Sequence, residues 1–169
     1  MKKLQDMSKE ELISLLEDAA KNWLAHDGLW FQAVEKIFDM KTAIDLDRKA
    51  WEKFTVIEAN RIMKRLNMPP GGGLNALEHA LQFRLYARIN EQEFIHQGPG
   101  KAVFRMNKCR VQDARKRKGL EDFPCKDVGV AEYSGFAAAI DPRIRTRCLA
   151  CPPDPHPEEY WCAWEFTIP

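Results

Sequence analysis

Residues 144–168, IRTRCLACPPDPHPEEYWCAWEFTI, decide the fold class of this chain. A proline-rich polar loop separates two segments, 144–149 and 160–168, whose composition is typical of β-strands. Side chains alternate along a strand, so one face of the second segment carries Tyr160, Cys162, Trp164, Phe166 and Ile168. The stretch therefore predicts two strands, one of which buries an apolar face against a core.

The segment before this stretch predicts two more strands and two helices. Residues 91–97 and 101–108 flank Gly98-Pro99-Gly100, a turn that is typical of a hairpin. Apolar residues return at helical spacing over 111–118 and 128–140, and Asp141-Pro142 ends the second of these helices. Residues 91–169 are therefore expected to run β-β-α-α-β-β and to form a mostly antiparallel sheet.

The first 90 residues predict about four helices. Ser8 and Glu11 give the capping-box signature of the first helix, and Asp27-Gly28 is predicted to end it. The third helix covers 42–66 and stops before a Pro-Pro pair, and the fourth covers 74–85. The fold prediction is one α+β domain over residues 1–169. An N-terminal helical part packs on an antiparallel sheet of about four strands, with two intervening helices.

Composition excludes several classes of protein. The 169 residues carry 26 Lys and Arg against 25 Asp and Glu, so the net charge of +1 gives no general attraction to nucleic acid or acidic lipid. No apolar run approaches the roughly 18 residues of a membrane span. The first 20 residues mix lysines with acids and lack the continuous apolar segment of a secretory signal. We therefore expect a cytoplasmic protein with no membrane partner.

The five cysteines all lie in the last 61 residues. Cys148 and Cys151 form a C-x2-C pair, and Cys162 is expected to return beside it across the loop. With Cys125 as a fourth sulfur, this spacing predicts a zinc site made of Cys125, Cys148, Cys151 and Cys162. Two further residues are reserve ligands: Cys109 and His156. Two alternatives stay open, namely buried thiols that fill the core and a reactive thiol.

Glu58 and His26 are the candidate acid/base residues. Glu58 borders the apolar stripe of the third helix, where a half-buried carboxylate has a raised pKa and serves as a general base. The alternative for Glu58 is a surface pair with Arg61. The alternative for His26 is a favourable place at a helix C-terminus. The expected walls of a ligand pocket beside them are Trp30, Glu35 and Trp164.

Basic residues concentrate between positions 105 and 118, and acids dilute them. No zinc finger or aromatic RNA-binding signature accompanies them, so we expect a solvated helix face without specific nucleic-acid binding. Arg143, Arg145 and Arg147 alternate on one strand and therefore share a face. They are expected either to bind an anionic substrate or to pair with Glu165 across the sheet.

Three blocks carry a family resemblance: HDGLWFQAVE (26–35), CRVQDARKRKGLEDFPCK (109–126) and AIDPRIRTRCLACPPDPHPEEYWCAWEFTI (139–168). They resemble an uncharacterised prokaryotic family of small cytosolic proteins. More distantly, the order of elements and the closing CAWEF (162–166) resemble two groups, the L-2-amino-thiazoline-4-carboxylic acid hydrolase-like family and the 4-vinyl reductase small-molecule-binding domains. The resemblance to the 4-vinyl reductase domains implies cysteines that hold zinc beside a cavity for small hydrophobic ligands.

These observations favour a small-molecule-binding protein with a cysteine-rich, zinc-binding site. The resemblance adds hydrolysis of small ring or amide compounds as an expected activity, and the residues leave open whether the protein is an enzyme. The alternative is a protein-interaction module whose cysteines are structural. The expected partner is a small-molecule ligand, with a homodimer left open.

Overall fold

The N-terminal helix α1 (Lys9–Ile37) is long and uninterrupted in the computed structural model, which describes residues 3–169. It begins as predicted, because the Ser8 hydroxyl accepts a hydrogen bond from the backbone N–H of Glu11. The predicted break at Asp27-Gly28 is wrong, since α1 continues through both residues. A glycine inside a helix costs about 1 kcal/mol. Burial of Phe31 and Val34 on the following turns offsets this cost.

Two further helices precede the sheet. The helix α2 (Met40–Leu66) agrees with the prediction, and the Asp39 carboxylate caps it by accepting from the Thr42 backbone N–H. The helix α3 (Gly73–Leu81) is shorter than predicted, because the chain turns into a 3₁₀ segment at Leu85–Arg88. This segment contains Tyr86 and directly follows Arg84, two residues that lie beside the candidate site described below.

The sheet contains β1 (Glu91–His96), β2 (Lys101–Lys108), β3 (Arg145–Ala150) and β4 (Cys162–Thr167). The strands pair antiparallel in the order β1-β2-β4-β3, which confirms the α+β fold class. Phe104 of β2 lies opposite Trp164 of β4, and Met106 lies opposite Cys162. These side chains share one face of the sheet because they stand two residues apart on each strand.

Two helices connect β2 to β3, and the second of them covers that face. They are α4 (Arg110–Arg117) and α5 (Lys126–Ile140), and α5 lies between α2 and the sheet. Phe136 of α5 is fully buried in the main core beside Trp164 and Phe166. A second apolar cluster joins α1, α2 and the start of α5 and contains Phe31, Trp51 and Val128. The space between the two clusters is where the candidate site lies.

The opposite face of the sheet is polar. The carboxylate of Glu165 lies 2.6 Å from Lys101 and 2.9 Å from Arg147, which confirms the predicted pairing of Arg147 with Glu165. The hydrogen bond with Lys101 has the largest effect in lowering the pKa of Glu165, and the contact with Arg147 adds to it. No helix within residues 3–169 is long and apolar enough to cross a bilayer.

Candidate functional site

A cavity of about 150 Å³ lies between the two apolar clusters. Helices α1, α2 and α5 form one side, and α4 with the ends of β2 and β4 forms the other. Aromatic side chains make up much of its wall: Phe31, Trp51, Tyr86, Phe123, Tyr133 and Trp164. Its polar groups fall into two sets, which we call the thiol end and the carboxylate end.

The thiol end contains Cys109, Cys125, Cys151 and Cys162. The sulfurs of Cys125 and Cys151 are 3.5 Å apart, and Cys162 is also a hydrogen-bond neighbour of Cys151. The indole N–H of Trp164 donates to the sulfur of Cys162 over 3.3 Å. Three segments distant in sequence thus bring their thiols together, because the start of α5, the end of β3 and the start of β4 meet here.

Two of the thiols in this end, Cys109 and Cys151, have raised pKa values. Burial raises the pKa of Cys109 to about 12. The hydrogen-bonding thiols of Cys125 and Cys162, together with burial, raise the pKa of Cys151 far above its usual range. Burial likewise raises the pKa of Cys148, although the nearby Lys126 opposes part of the rise. A thiolate nucleophile is therefore disfavoured at Cys109 and Cys151 at neutral pH.

Three of the four predicted zinc ligands lie in the thiol end, namely Cys125, Cys151 and Cys162. The fourth, Cys148, lies beside the core on β3 and does not line the cavity, whereas Cys109 does. Within residues 3–169, no group of three or more Cys, His, Asp or Glu side chains is arranged to hold a metal ion. The side chains must rotate toward a common centre to bind zinc, so zinc binding stays a prediction.

The carboxylate end brings together Asp27 of α1, Asp47 of α2 and Glu132 of α5. Burial raises the pKa of Asp47 to about 7, and the negative charges of Asp27 and Glu132 add to the effect. Burial also raises the pKa values of Asp27 and Glu132. A carboxyl group that changes its charge near neutral pH is suited to proton transfer.

A buried arginine supports this end. Nε of Arg84 donates to Glu58 over 2.8 Å, and its Nη1 lies 2.7 Å from Oε1 of Glu132. One guanidinium thus joins the two buried glutamates, while Nη2 of Arg84 has no hydrogen-bond partner. Four aromatic rings lie within 5.8 Å of the guanidinium carbon: Trp51, Tyr86, Tyr133 and Phe136.

The two predicted acid/base residues lie outside the cavity wall. Glu58 is mostly buried, and its carboxylate binds Arg84, rather than Arg61 as the surface-pair alternative supposed. His26 is exposed on α1, while its neighbour Asp27 lines the cavity. The structure therefore gives Glu58 a supporting position behind Glu132, through their common partner Arg84.

The predicted pocket walls divide in a similar way. Trp164 lines the cavity and is fully buried. Trp30 is exposed on the outer side of α1. Glu35 lies just outside and binds Arg115, a cavity residue, through two hydrogen bonds of 3.0 and 3.1 Å. Of the reserve ligands, Cys109 lines the cavity, and His156 lies outside it with its ring packed at a tilt against Trp161.

Sequence reasoning missed the carboxylate end and Arg84. One signal was available for Glu132, because it is the only charged residue after Asp127 in the helix KDVGVAEYSGFAAAI. A charged residue in such an apolar segment is buried only with a partner. Asp27 with Phe31 and Asp47 with Trp51 also share helix faces at a spacing of four residues.

The chain is an α+β protein with a cavity between its helices and its antiparallel sheet, lined by thiols at one end and carboxylates at the other. Residues 5–168 match the model of DUF6125, a family of unknown function, and the chain belongs to this family. A search of curated proteins found no match.

Proposed function

We propose that the protein binds a small molecule whose ring-sized apolar part occupies the cavity. The observation that carries the proposal is the space itself. Protein interiors are close-packed, and an apolar cavity of about 150 Å³ is large enough to bind benzene. The cavity here has this volume, with Trp51 and Tyr133 among its walls and polar groups at both ends. Aromatic walls with a few convergent polar groups are typical of ligand sites.

Hydrolysis of small ring or amide compounds is the enzymatic form of this proposal. The resemblance to the L-2-amino-thiazoline-4-carboxylic acid hydrolase-like family favours it, as does the pKa of about 7 at Asp47. In this form Asp47 accepts a proton from water beside the bound ligand, and Trp164 contacts the apolar part.

Benzyl alcohol, a neutral ring-sized probe, tests the binding proposal. We expect saturable binding to the full chain, measured by calorimetry and by a change in tryptophan fluorescence, since Trp51 and Trp164 line the cavity. Val128→Trp fills the cavity and should abolish binding, and Ala114→Leu is a milder filling variant. Val130→Trp, at an exposed position of the same helix, is the matched control. Binding that survives both filling variants in folded protein overturns the proposal.

Zinc binding by the thiols is a second candidate function, favoured by the 3.5 Å separation of Cys125 and Cys151. Thiolates replace thiols when zinc binds, and the folded state gains stability from the metal. Protein purified without chelator should contain about one zinc per chain. A content below about a tenth of an equivalent, with all five thiols titrating freely in the native state, contradicts this function. Absence of both zinc and ligand favours the interaction-module alternative.

A further inference from the structure

We propose that the protein forms a homodimer in which two copies pack the outer faces of their α1–α2 hairpins together as a four-helix bundle. The inference goes beyond the proposed binding function, because α1 forms the cavity wall with a different face. It is carried by three observations: an exposed apolar seam along α1, an apolar area of the size that a dimer interface needs, and opposite charges at the ends of the two helices.

Apolar residues follow a heptad pattern along the length of α1. They recur at alternating spacings of four and three residues, which is the seam pattern of coiled coils. The seam consists of Leu12, Leu16, Ala19, Trp23, His26, Trp30, Ala33 and Ile37, all of them exposed. Every member except His26 is apolar. The residues that α1 buries within its own chain, Ala20, Phe31 and Val34, lie on a neighbouring face. The seam is therefore a second packing surface of α1.

The first turns of α1 are the most exposed part of this surface. Every residue from 9 to 19 is exposed, and among them Leu12, Leu15 and Leu16 are 40–49% exposed. A helical segment of this length is marginal in water on its own, because most helical stability in proteins comes from packing an apolar face. These turns therefore gain stability from a surface that residues 3–169 of the same copy do not supply.

Helix α2 widens the seam into a face. Only two residues separate α1 from α2, so the helices run antiparallel, and Trp23 stacks on Phe54 with ring centroids 5.0 Å apart. Leu46 and Ile57 lie eight residues before and three residues after Phe54, which places them on the same side of α2, and both are exposed. We call the combined surface the hairpin face. It consists of Leu12, Leu15, Leu16, Trp23, Trp30, Leu46 and Ile57.

The area of the hairpin face matches what a dimer interface needs. Its members are 38–53% exposed. Half of a leucine side chain corresponds to about 60 Å² and half of a tryptophan to about 100 Å², so the face offers on the order of 500 Å² of apolar surface. A stable interface buries about 800 Å² per partner, and homodimer interfaces are about 65% apolar. The hairpin face therefore supplies the apolar part of one such interface.

Charges at the ends of the hairpin favour a second copy as the occupant. The first half of α1 carries Glu10, Glu17 and Asp18. The last turns of α2 carry Arg61 and Lys64, which are exposed and form no salt bridge within residues 3–169. A two-fold axis parallel to the helices places the acidic start of one copy's α1 beside the basic end of the other copy's α2. An anionic lipid surface matches the face less well, because the acidic turns repel it.

Sedimentation velocity of the full chain, from low micromolar to about 100 μM, tests the proposal. We expect a concentration-dependent species of twice the chain mass of 19.6 kDa. Leu16→Glu places a charge in the face twice per dimer and should weaken association about a hundredfold or more. Leu149→Glu, at a similarly exposed position of β3, is the matched control and should change nothing. Lys64→Glu should weaken the dimer about threefold to tenfold at low salt and little at high salt.

The other outcomes contradict the proposal in different ways. A chain that stays monomeric at about 100 μM overturns it and leaves the ligand-binding function standing, since the cavity lies within one copy. A dimer that survives Leu16→Glu in folded protein uses another surface and also overturns it. Binding of a monomer to phosphatidylglycerol vesicles shows lipid as the occupant, with the same consequence. If circular dichroism shows that Leu16→Glu does not fold, Trp30→Glu takes its place, because Trp30 is 53% exposed.

Discussion

Removing the Asp47 charge should stabilise the ligand-free protein at high pH and have little effect at low pH. The folded-state pKa of Asp47, about 7, lies above the unfolded value of 3.8. The folded state therefore binds a proton that the unfolded state releases, so this group's stabilising contribution is complete below about pH 4. It is lost as pH rises through 7. Asp47→Asn removes this loss, and the amide still accepts a hydrogen bond from Trp51.

The size of the effect follows from the pKa difference. About three pKa units correspond to about 4 kcal/mol in the free energy of unfolding, and partial access of water reduces the figure to about 2–4 kcal/mol. Guanidinium unfolding of both proteins at pH 4, 6 and 8 measures the difference. The variant should be more stable than the wild type by this amount at pH 8, and nearly equal to it at pH 4. Parallel stability profiles over this range would refute the reasoning, and Asp45→Asn is the control.

Three further predictions concern packing, the buried arginine and the basic helix. Gly129→Ala places a Cβ 2.6 Å from the Trp164 ring and should cost about 1–3 kcal/mol in thermal unfolding, whereas Gly28→Ala meets nothing within 4 Å and should gain about 0.5–1 kcal/mol. Arg84→Met leaves two buried glutamates without their cation and should cost about 3–5 kcal/mol in denaturant unfolding, while the same change at the exposed Arg88 should cost under about 0.5 kcal/mol. Helix α4 should give only weak nucleic-acid binding that salt abolishes in filter-binding assays, and a sub-micromolar, sequence-dependent affinity at physiological salt contradicts this.

The sequence predicted the sheet well because its signals are local. The turn at Gly98-Pro99-Gly100 and the alternation along 162–168 each need only neighbouring residues, and the observed strands agree with both. The same alternation put Cys162 and Trp164 on the core face. Pairing of the last two strands brings Cys162 back beside the segment that carries Cys148 and Cys151, so this proximity could be expected from the strands alone.

The carboxylate end was not predictable in the same way, because it depends on how three helices cross. Successive side chains on a helix point about 100° apart. An error of one residue in the orientation of a helix therefore moves a side chain from the cavity to the solvent. His26 and Asp27 illustrate this, since the first is exposed and the second lines the cavity. Because the helix was expected to end at Asp27-Gly28, the residues before and after this point could not be assigned to common faces of one helix. For Glu58 the sequence left a half-buried pocket position and a surface pair with Arg61 both open, because its actual partner, Arg84, lies 26 residues away.

The open edges of the sheet bear opposite charges, and this affects how copies of the protein meet. The edge strand β1 carries Glu91 and Glu93, and the other edge strand β3 carries Arg145 and Arg147. Unpaired, such edges would attract one another head to tail and extend the sheet from copy to copy without end. Lys108 binds Glu91 at 2.5 Å, and the salt bridge from Arg147 to Glu165 does the same for the basic edge. These pairs within one sheet weaken the electrostatic attraction between the edges of two copies.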